Sequence, residues 1–186
     1  MTTVANVFSS VQLELLNNLP EVTAAKAKLA TNNVVYFTTP LTDAIKTVLH
    51  DKFNLDLTAS EIPMRWIKGD TAAHIDTGAG KFKKTYLVYL NDSTGEFILD
   101  ATSYSITANT GFVFSEGLQH ETQNTGTQPR LLLGPMNEFA EPVGGAINVT
   151  YYRNYADAVS FSNRIAFQVS SWIINDEFVD IVDPLY

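Results

Sequence analysis

Three residues of this chain have side chains suited to holding one divalent metal: His74 and Asp76, separated by Ile75, and His120 further on, followed after ten residues by Arg130. If the first of these segments is extended, residues two apart leave the same face, so an imidazole and a carboxylate reach one ion together. Two neutral imidazoles and one carboxylate hold Fe(II) while leaving adjacent coordination positions open, so that a bidentate co-substrate and O₂ can bind side by side. A guanidinium beyond them can grip a distant carboxylate through two parallel hydrogen bonds, which makes Arg130 the candidate anchor of a dicarboxylate. Asp100 and Glu121 are the alternative partners that would make Arg130 a structural ion pair instead. The third histidine, His50, lies far from this group in sequence and reads as an ordinary helix-flank or surface residue.

These groups must be positioned by a β-rich frame. From residue 62 onward the chain is a succession of short β-type runs between turn residues, with strands predicted over 62–68, 85–91, 96–99, 104–107, 111–114, 118–122 and 130–134 and a hairpin loop over 91–95. Regular short strands of this kind point to a barrel or sandwich. The N-terminal part differs. Phe8, Val11, Leu15 and Leu19 recur at helical spacing, and 21–30 is rich in Ala and Lys without Gly or Pro, predicting one or two short helices. After a β-type run from Val34 to Phe37, Thr39 and Pro40 read as N-cap and first helical residue of a helix carrying Leu41, Ile45, Val48, Leu49 and Phe53. That stripe is expected to pack on one face of a sheet. Beyond 146 two further strands are expected, 147–152 and 165–174, and Pro142, Gly144 and Gly145 mark a loop.

Composition limits what the site can belong to. With 186 residues and 45% hydrophobic content, the chain can bury one substantial core and reads as a single domain. A net charge of −8 leaves no basic face for nucleic acid. The absence of cysteine excludes disulfides, zinc–thiolate sites and thiol nucleophiles. The first nineteen residues lack a basic n-region and a continuous apolar run, so neither a signal peptide nor a membrane span is read, and an intracellular, soluble, cytoplasmic protein is expected.

Taken in order, His74-Ile75-Asp76, the Tyr86-Leu87-Val88-Tyr89-Leu90-Asn91 run, Gly95-Glu96-Phe97, Gly111-Phe112-Val113-Phe114, His120 and Arg130 resemble the 2-oxoglutarate/Fe(II)-dependent dioxygenases, most closely the prolyl-4-hydroxylase-like branch. The resemblance covers about 62–134. It implies a double-stranded β-helix, or jelly roll, as the core, and the N-terminal helices expected to pack on one sheet are compatible with it, so that a mainly β (α+β) chain is expected. It also implies His74, Asp76 and His120 as iron ligands, and Arg130 with the Tyr89 hydroxyl as the grip on 2-oxoglutarate. On that basis the expected cofactor set is Fe(II), 2-oxoglutarate as co-substrate and ascorbate, and the expected reaction is hydroxylation of a C–H bond in a protein or peptide side chain. Together with the residue patterns outside 62–134, the expected division of the single domain is a helical extension over 1–60, the β-helix core with the metal site over 61–135, and C-terminal strands with an irregular segment over 136–186. Two departures accompany the resemblance. The interval between Asp76 and His120 is short for prolyl hydroxylases, which leaves 77–84 as the expected rim, together with 78–80 and 141–145 as peptide-facing loops. Leu131, Leu132 and Leu133 also follow Arg130 where the family often carries a small hydroxylated residue. Gly117-Leu118-Gln119-His120 with Asn124 resembles the second motif of the cupins, so a cupin-type metal protein is one alternative. A non-catalytic β-helix protein serving as a binding or structural component is the other, suggested by the aromatic C-terminal segment with Tyr151, Tyr152, Tyr155, Phe161, Phe167, Trp172 and Phe178.

Overall fold

The computed structural model describes residues 1–76 and 81–143, together with the backbone of three strands between 149 and 182. The expected loops 78–80 and 144–145, and residues 165–170 of the last expected strand, lie outside the described residues.

The core is a double-stranded β-helix built from eight strands: β3 (Glu61–Ile67), β4 (Thr71–Ile75), β5 (Lys84–Tyr89), β6 (Glu96–Leu99), β7 (Thr102–Ser105), β8 (Thr110–Ser115), β9 (Gln119–Gln123) and β10 (Arg130–Met136). Two further strands, β1 (Thr2–Ala5) and β2 (Val34–Pro40), extend one sheet to the order β1-β8-β5-β10-β3-β2. The opposing sheet has the order β4-β9-β6-β7. Every pairing in both sheets is antiparallel, and the chain passes repeatedly from one sheet to the other, which is the jelly-roll winding. Strands β11 (Val149–Tyr152), β12 (Ser171–Ile174) and β13 (Val179–Val182) form a separate sheet in the order β11-β13-β12.

The four inner strands of the six-stranded sheet, β8, β5, β10 and β3, are buried on both faces, so they read as continuous apolar runs rather than alternating ones. One face packs against the N-terminal helices α1 (Ser10–Asn17), α2 (Pro20–Ala27) and α3 (Asp43–Phe53), through Leu16, Val22, Ala25, Ile45 and Leu49 against Met64, Trp66, Val88, Leu131 and Leu133. The other face contributes Ile67, Leu87, Tyr89, Phe112, Phe114 and Leu132, packed with Phe97 and Leu99 of the second sheet. No helix among the described residues is long and apolar enough to cross a membrane.

The expected helices form with different edges and faces. Helix α1 turns Leu16 inward, while Val11 and Leu15 are 71% and 56% exposed, so the apolar stripe drawn through Phe8, Val11, Leu15 and Leu19 is corrected at Val11 and Leu15, whereas Phe8 is buried and Leu19 packs against the core. Helix α3 begins later than Thr39: Thr42 is its N-cap, its hydroxyl accepting from the Ile45 amide, and Thr39 and Pro40 finish strand β2 instead. Strand β2 lies at the sheet edge, where the missing N–H of Pro40 removes no interior ladder bond.

Candidate metal centre

Strands β4 and β9 pair so that His74 and His120 stand directly opposite one another. Cross-strand partners on one face bring their side chains together, and the two imidazole centroids are 4.1 Å apart. Asp76 follows β4 by one residue, and its carbonyl accepts from the Gly117 amide, which ties the end of β4 to the turn that leads into β9. The Asp76 carboxylate lies 3.9 Å from His74 Nε2 and 3.5 Å from His120 Nε2. One ligand atom from each of the three residues can be chosen so that all lie within 4.8 Å of one another.

The second ring nitrogen of each histidine is already engaged. His74 Nδ1 is 2.7 Å from the Ala72 carbonyl, and His120 Nδ1 is 3.0 Å from the Leu118 carbonyl. A carbonyl only accepts, so Nδ1 carries the proton and the Nε2 lone pair is free, which is the outer arrangement that metal-ligating histidines show. Asp76 is 2% exposed; its Oδ2 accepts from the Thr85 hydroxyl, while Oδ1 is buried with no partner. A buried carboxylate oxygen without a donor costs free energy unless a cation satisfies it. The donor set therefore fits a divalent ion held by two imidazoles and one carboxylate. Phe97 and Phe114 wall the His120 ring, and this burial pushes the His120 imidazole down to about 4, with His74 acting in the same direction and Asp76 opposing. The His120 Nε2 lone pair is thus kept available well below neutral pH.

Arg130 opens strand β10 and is fully buried on the same inner face. Its Nη1 donates to the Gly69 carbonyl at 2.6 Å, and Nη2 donates to the hydroxyls of Thr71 and Thr122 at 2.9 and 2.7 Å. Neither Asp100 nor Glu121 pairs with it, and it forms no ion pair among the described residues. Its guanidinium thus clips β10 to β4 and β9, with Nε left buried and unpartnered. Tyr89 is buried beside it, its ring edge-on to Phe97 and Phe112, and burial holds its phenol well above the ordinary value. His50 stands apart on the surface, 2.8 Å from Asp56.

One residue that the sequence reading passed over faces this cavity. Arg65 lies in the middle of β3 and is 7% exposed. It lines the inner cavity together with His74, Tyr89, His120, Arg130 and Leu132. Its sequence signal is a lone charge inside the run Ile62-Pro63-Met64-Arg65-Trp66-Ile67, since arginine is rarely fully buried without a purpose. Four buried side-chain polar atoms lack a partner among the described residues, and three of them belong to Asp76, Arg65 and Arg130. The unmet polarity of the fold is concentrated around one cavity.

No protein-family model matches the chain, and no curated protein matches its sequence. Among solved structures, the chain is similar to a prolyl-4-hydroxylase from Pseudomonas putida, at 14% identity and a TM-score of 0.49 over 71% of this chain and 88% of that one. It is also similar to vicilin from hazelnut (Corylus avellana), at 12% identity and a TM-score of 0.33 over 55% of this chain and 29% of that one.

Proposed function

We propose that this protein is an Fe(II)-dependent oxygenase that uses 2-oxoglutarate and hydroxylates a C–H bond, with a protein or peptide side chain as the substrate class that the family resemblance implies. The observation that carries the reading is the triad itself: opposed His74 and His120 with free Nε2 atoms, and a buried Asp76 oxygen that no protein donor satisfies. His74, Asp76 and His120 would hold the iron, which when bound supplies the activation of O₂. The chain's own share is positional. Backbone carbonyls 72 and 118 fix the imidazole tautomers, Thr85 orients the carboxylate, and Phe97 and Phe114 keep water from the His120 side. Arg130 and Tyr89 stand deeper in the same cavity, where a dicarboxylate's far end would meet a positive charge and a hydroxyl.

A second reading, a cupin-type metal protein working without 2-oxoglutarate, is favoured by two observations. Both Arg130 Nη atoms are already donating to Gly69, Thr71 and Thr122, and Leu132 occupies the inner face two residues on, where a small hydroxylated residue would have left room. The inner cavity is narrow, about 30 Å³, which is space for a water or two. A five-carbon diacid would enter only with side-chain movement.

Anaerobic titration with Fe(II) followed by 2-oxoglutarate separates the readings. The oxygenase reading expects iron to bind and a visible charge-transfer band to appear on adding the oxoacid, lost in Asp76→Ala. Iron binding with no band leaves the cupin-type reading; no binding of iron at all ends both.

A further inference from the structure

Arg65 stands between two spaces. On one side is the narrow inner cavity with the triad. On the other is an open groove of about 330 Å³ lined by Tyr36, Pro63, Pro135 and Pro142, which also counts Arg65 in its wall. The guanidinium is held in place at this junction: Nη2 donates to the Val143 carbonyl at 3.0 Å, and the Tyr36 ring lies 4.7 Å from the guanidinium carbon. Stacking and one hydrogen bond fix the plane of the fork while leaving donors unused, and Nε is buried without a partner.

Charge sharpens the point. Two guanidinium groups, Arg65 and Arg130, line the inner cavity. Asp70 acts on Arg130, and Asp76 acts on Arg65. Asp76 is the carboxylate with the orphaned oxygen of the triad, so a cation there would offset part of the negative charge that acts on Arg65. Glu121 is also counted in the wall of this cavity, but among the described residues it forms no ion pair with either guanidinium. A buried cation without a countercharge is costly, and a ligand anion removes that cost. The two volumes then decide where the rest of such a ligand lies, because the inner cavity has no room for an organic body and the groove does.

We propose that Arg65 is the anion-recognition residue of this site: a carboxylate-bearing small molecule lies with its apolar body along Tyr36, Pro63, Pro135 and Pro142 and places its carboxylate on the Arg65 fork, beside the triad. This rests on the proposed oxygenase reading only for the identity of the cavity it adjoins, and it puts a small-molecule acid in place of the protein or peptide side chain that the family resemblance implies. Arg65 acts by positioning and selecting. The Tyr36 ring, 56% exposed, forms the outer wall, and the prolines keep the groove apolar and rigid.

Calorimetry on the full chain tests this with three probes, 3-phenylpropanoate, its uncharged analogue 3-phenylpropanol, and 2-oxoglutarate, each with and without Mn(II). The acid is expected to bind at least tenfold tighter than the alcohol. Arg65→Gln is expected to remove that preference while Mn(II) affinity holds or rises, because a positive charge beside the triad goes with it, and Arg65→Lys to restore part of the preference. Dependence on Arg65 for 3-phenylpropanoate assigns the carboxylate to the substrate; dependence for 2-oxoglutarate alone, with Mn(II) present, assigns it to the co-substrate. Equal binding of acid and alcohol, or unchanged affinity for both acids in Arg65→Gln, overturns the inference. Should Arg65→Gln not fold, Tyr36→Ala at the exposed wall takes its place: a several-fold loss for the acids supports the assignment, and no loss overturns it. Failure of the wild-type chain to bind Mn(II) removes the oxygenase reading, while Arg65-dependent binding of the acid to the metal-free protein still upholds this one.

Discussion

On strand β10, Leu131 and Leu133 face the helices while Arg130 and Leu132 face the second sheet; on β3, Met64 and Trp66 face the helices while Arg65 and Ile67 face inward. The same strands therefore build two interiors of different character. The helix-covered interior is almost wholly apolar, closed by Leu49, Leu131 and Leu133 at 0% exposure. The interior between the sheets mixes Phe97, Phe112 and Phe114 with two guanidinium groups, a phenol, a buried carboxylate and an imidazole. Strand parity separates what stabilises from what binds, since residues two apart share a face and neighbours do not. The inner face gives up packing for polar groups, three of which, Asp76, Arg65 and Arg130, retain an unmet atom, which is the trade expected of a site rather than of a core.

That contrast is broken or sharpened most severely by changing the inner face. Asp76→Ala removes the one carboxylate of the triad, so affinity for Mn(II) or Fe(II) is expected to fall by more than the roughly 10- to 100-fold that loss of an outer supporting hydrogen bond costs. The melting temperature of the metal-free protein should fall only modestly: an unpartnered buried carboxylate oxygen disappears, while the Thr85 hydroxyl loses its acceptor and Arg65 a nearby negative charge. A variant that melts far below wild type and still binds metal would invert the comparison. The outer face should respond oppositely. Leu133→Ala leaves a cavity in the helix-covered core and is expected to cost about 2–5 kcal/mol in denaturant unfolding. Its metal affinity at low temperature, while still folded, should equal that of wild type. A shared loss of both properties would show the two interiors to be one cooperative unit for binding.

The sequence made one half of this arrangement easy to read. His-x-Asp is local, so its shared face follows from strand period alone, and the distal His120 sits in a run with clear β character. The strands of the core were visible as apolar runs between turns, with edges a residue or two away: 104–107 became Thr102–Ser105, and 118–122 became Gln119–Gln123. Strand β4 was read only conditionally, because Thr-Ala-Ala-His-Ile carries no alternation. Strand β1 was missed altogether; its four residues are mostly exposed and gain order only from pairing with β8, a partner more than a hundred positions away in sequence. Arg65 was missed for the opposite reason. Its run is so apolar that the strand was obvious, and nothing local reveals that its face turns toward the triad rather than toward solvent. Arg130 was found, but its three bonds to Gly69, Thr71 and Thr122 depend on the meeting of three strands and had no local trace.

The smallest expected effect concerns protons on the inner face of the metal-free protein. Burial lowers the His120 imidazole from its ordinary 6.5 to about 4, with His74 adding to the shift and Asp76 and the Leu118 carbonyl opposing it. The folded state therefore binds fewer protons than the unfolded chain between those two values. The stability that neutral His120 contributes is fully present above pH 6.5 and declines as the pH falls toward 4, with a slope of at most about 1.4 kcal/mol per pH unit. Asp70, whose carboxyl is lowered by its bonds from the Thr125 amide and hydroxyl, contributes in a separate window below its ordinary 3.8. Urea unfolding of the metal-free protein across pH 7 to 4.5 should show the decline, and His120→Leu should flatten it. Parallel profiles for wild type and variant would mean that the inner face admits water to His120. The contrast between a dry apolar interior and a dry polar one would then fail at its polar end.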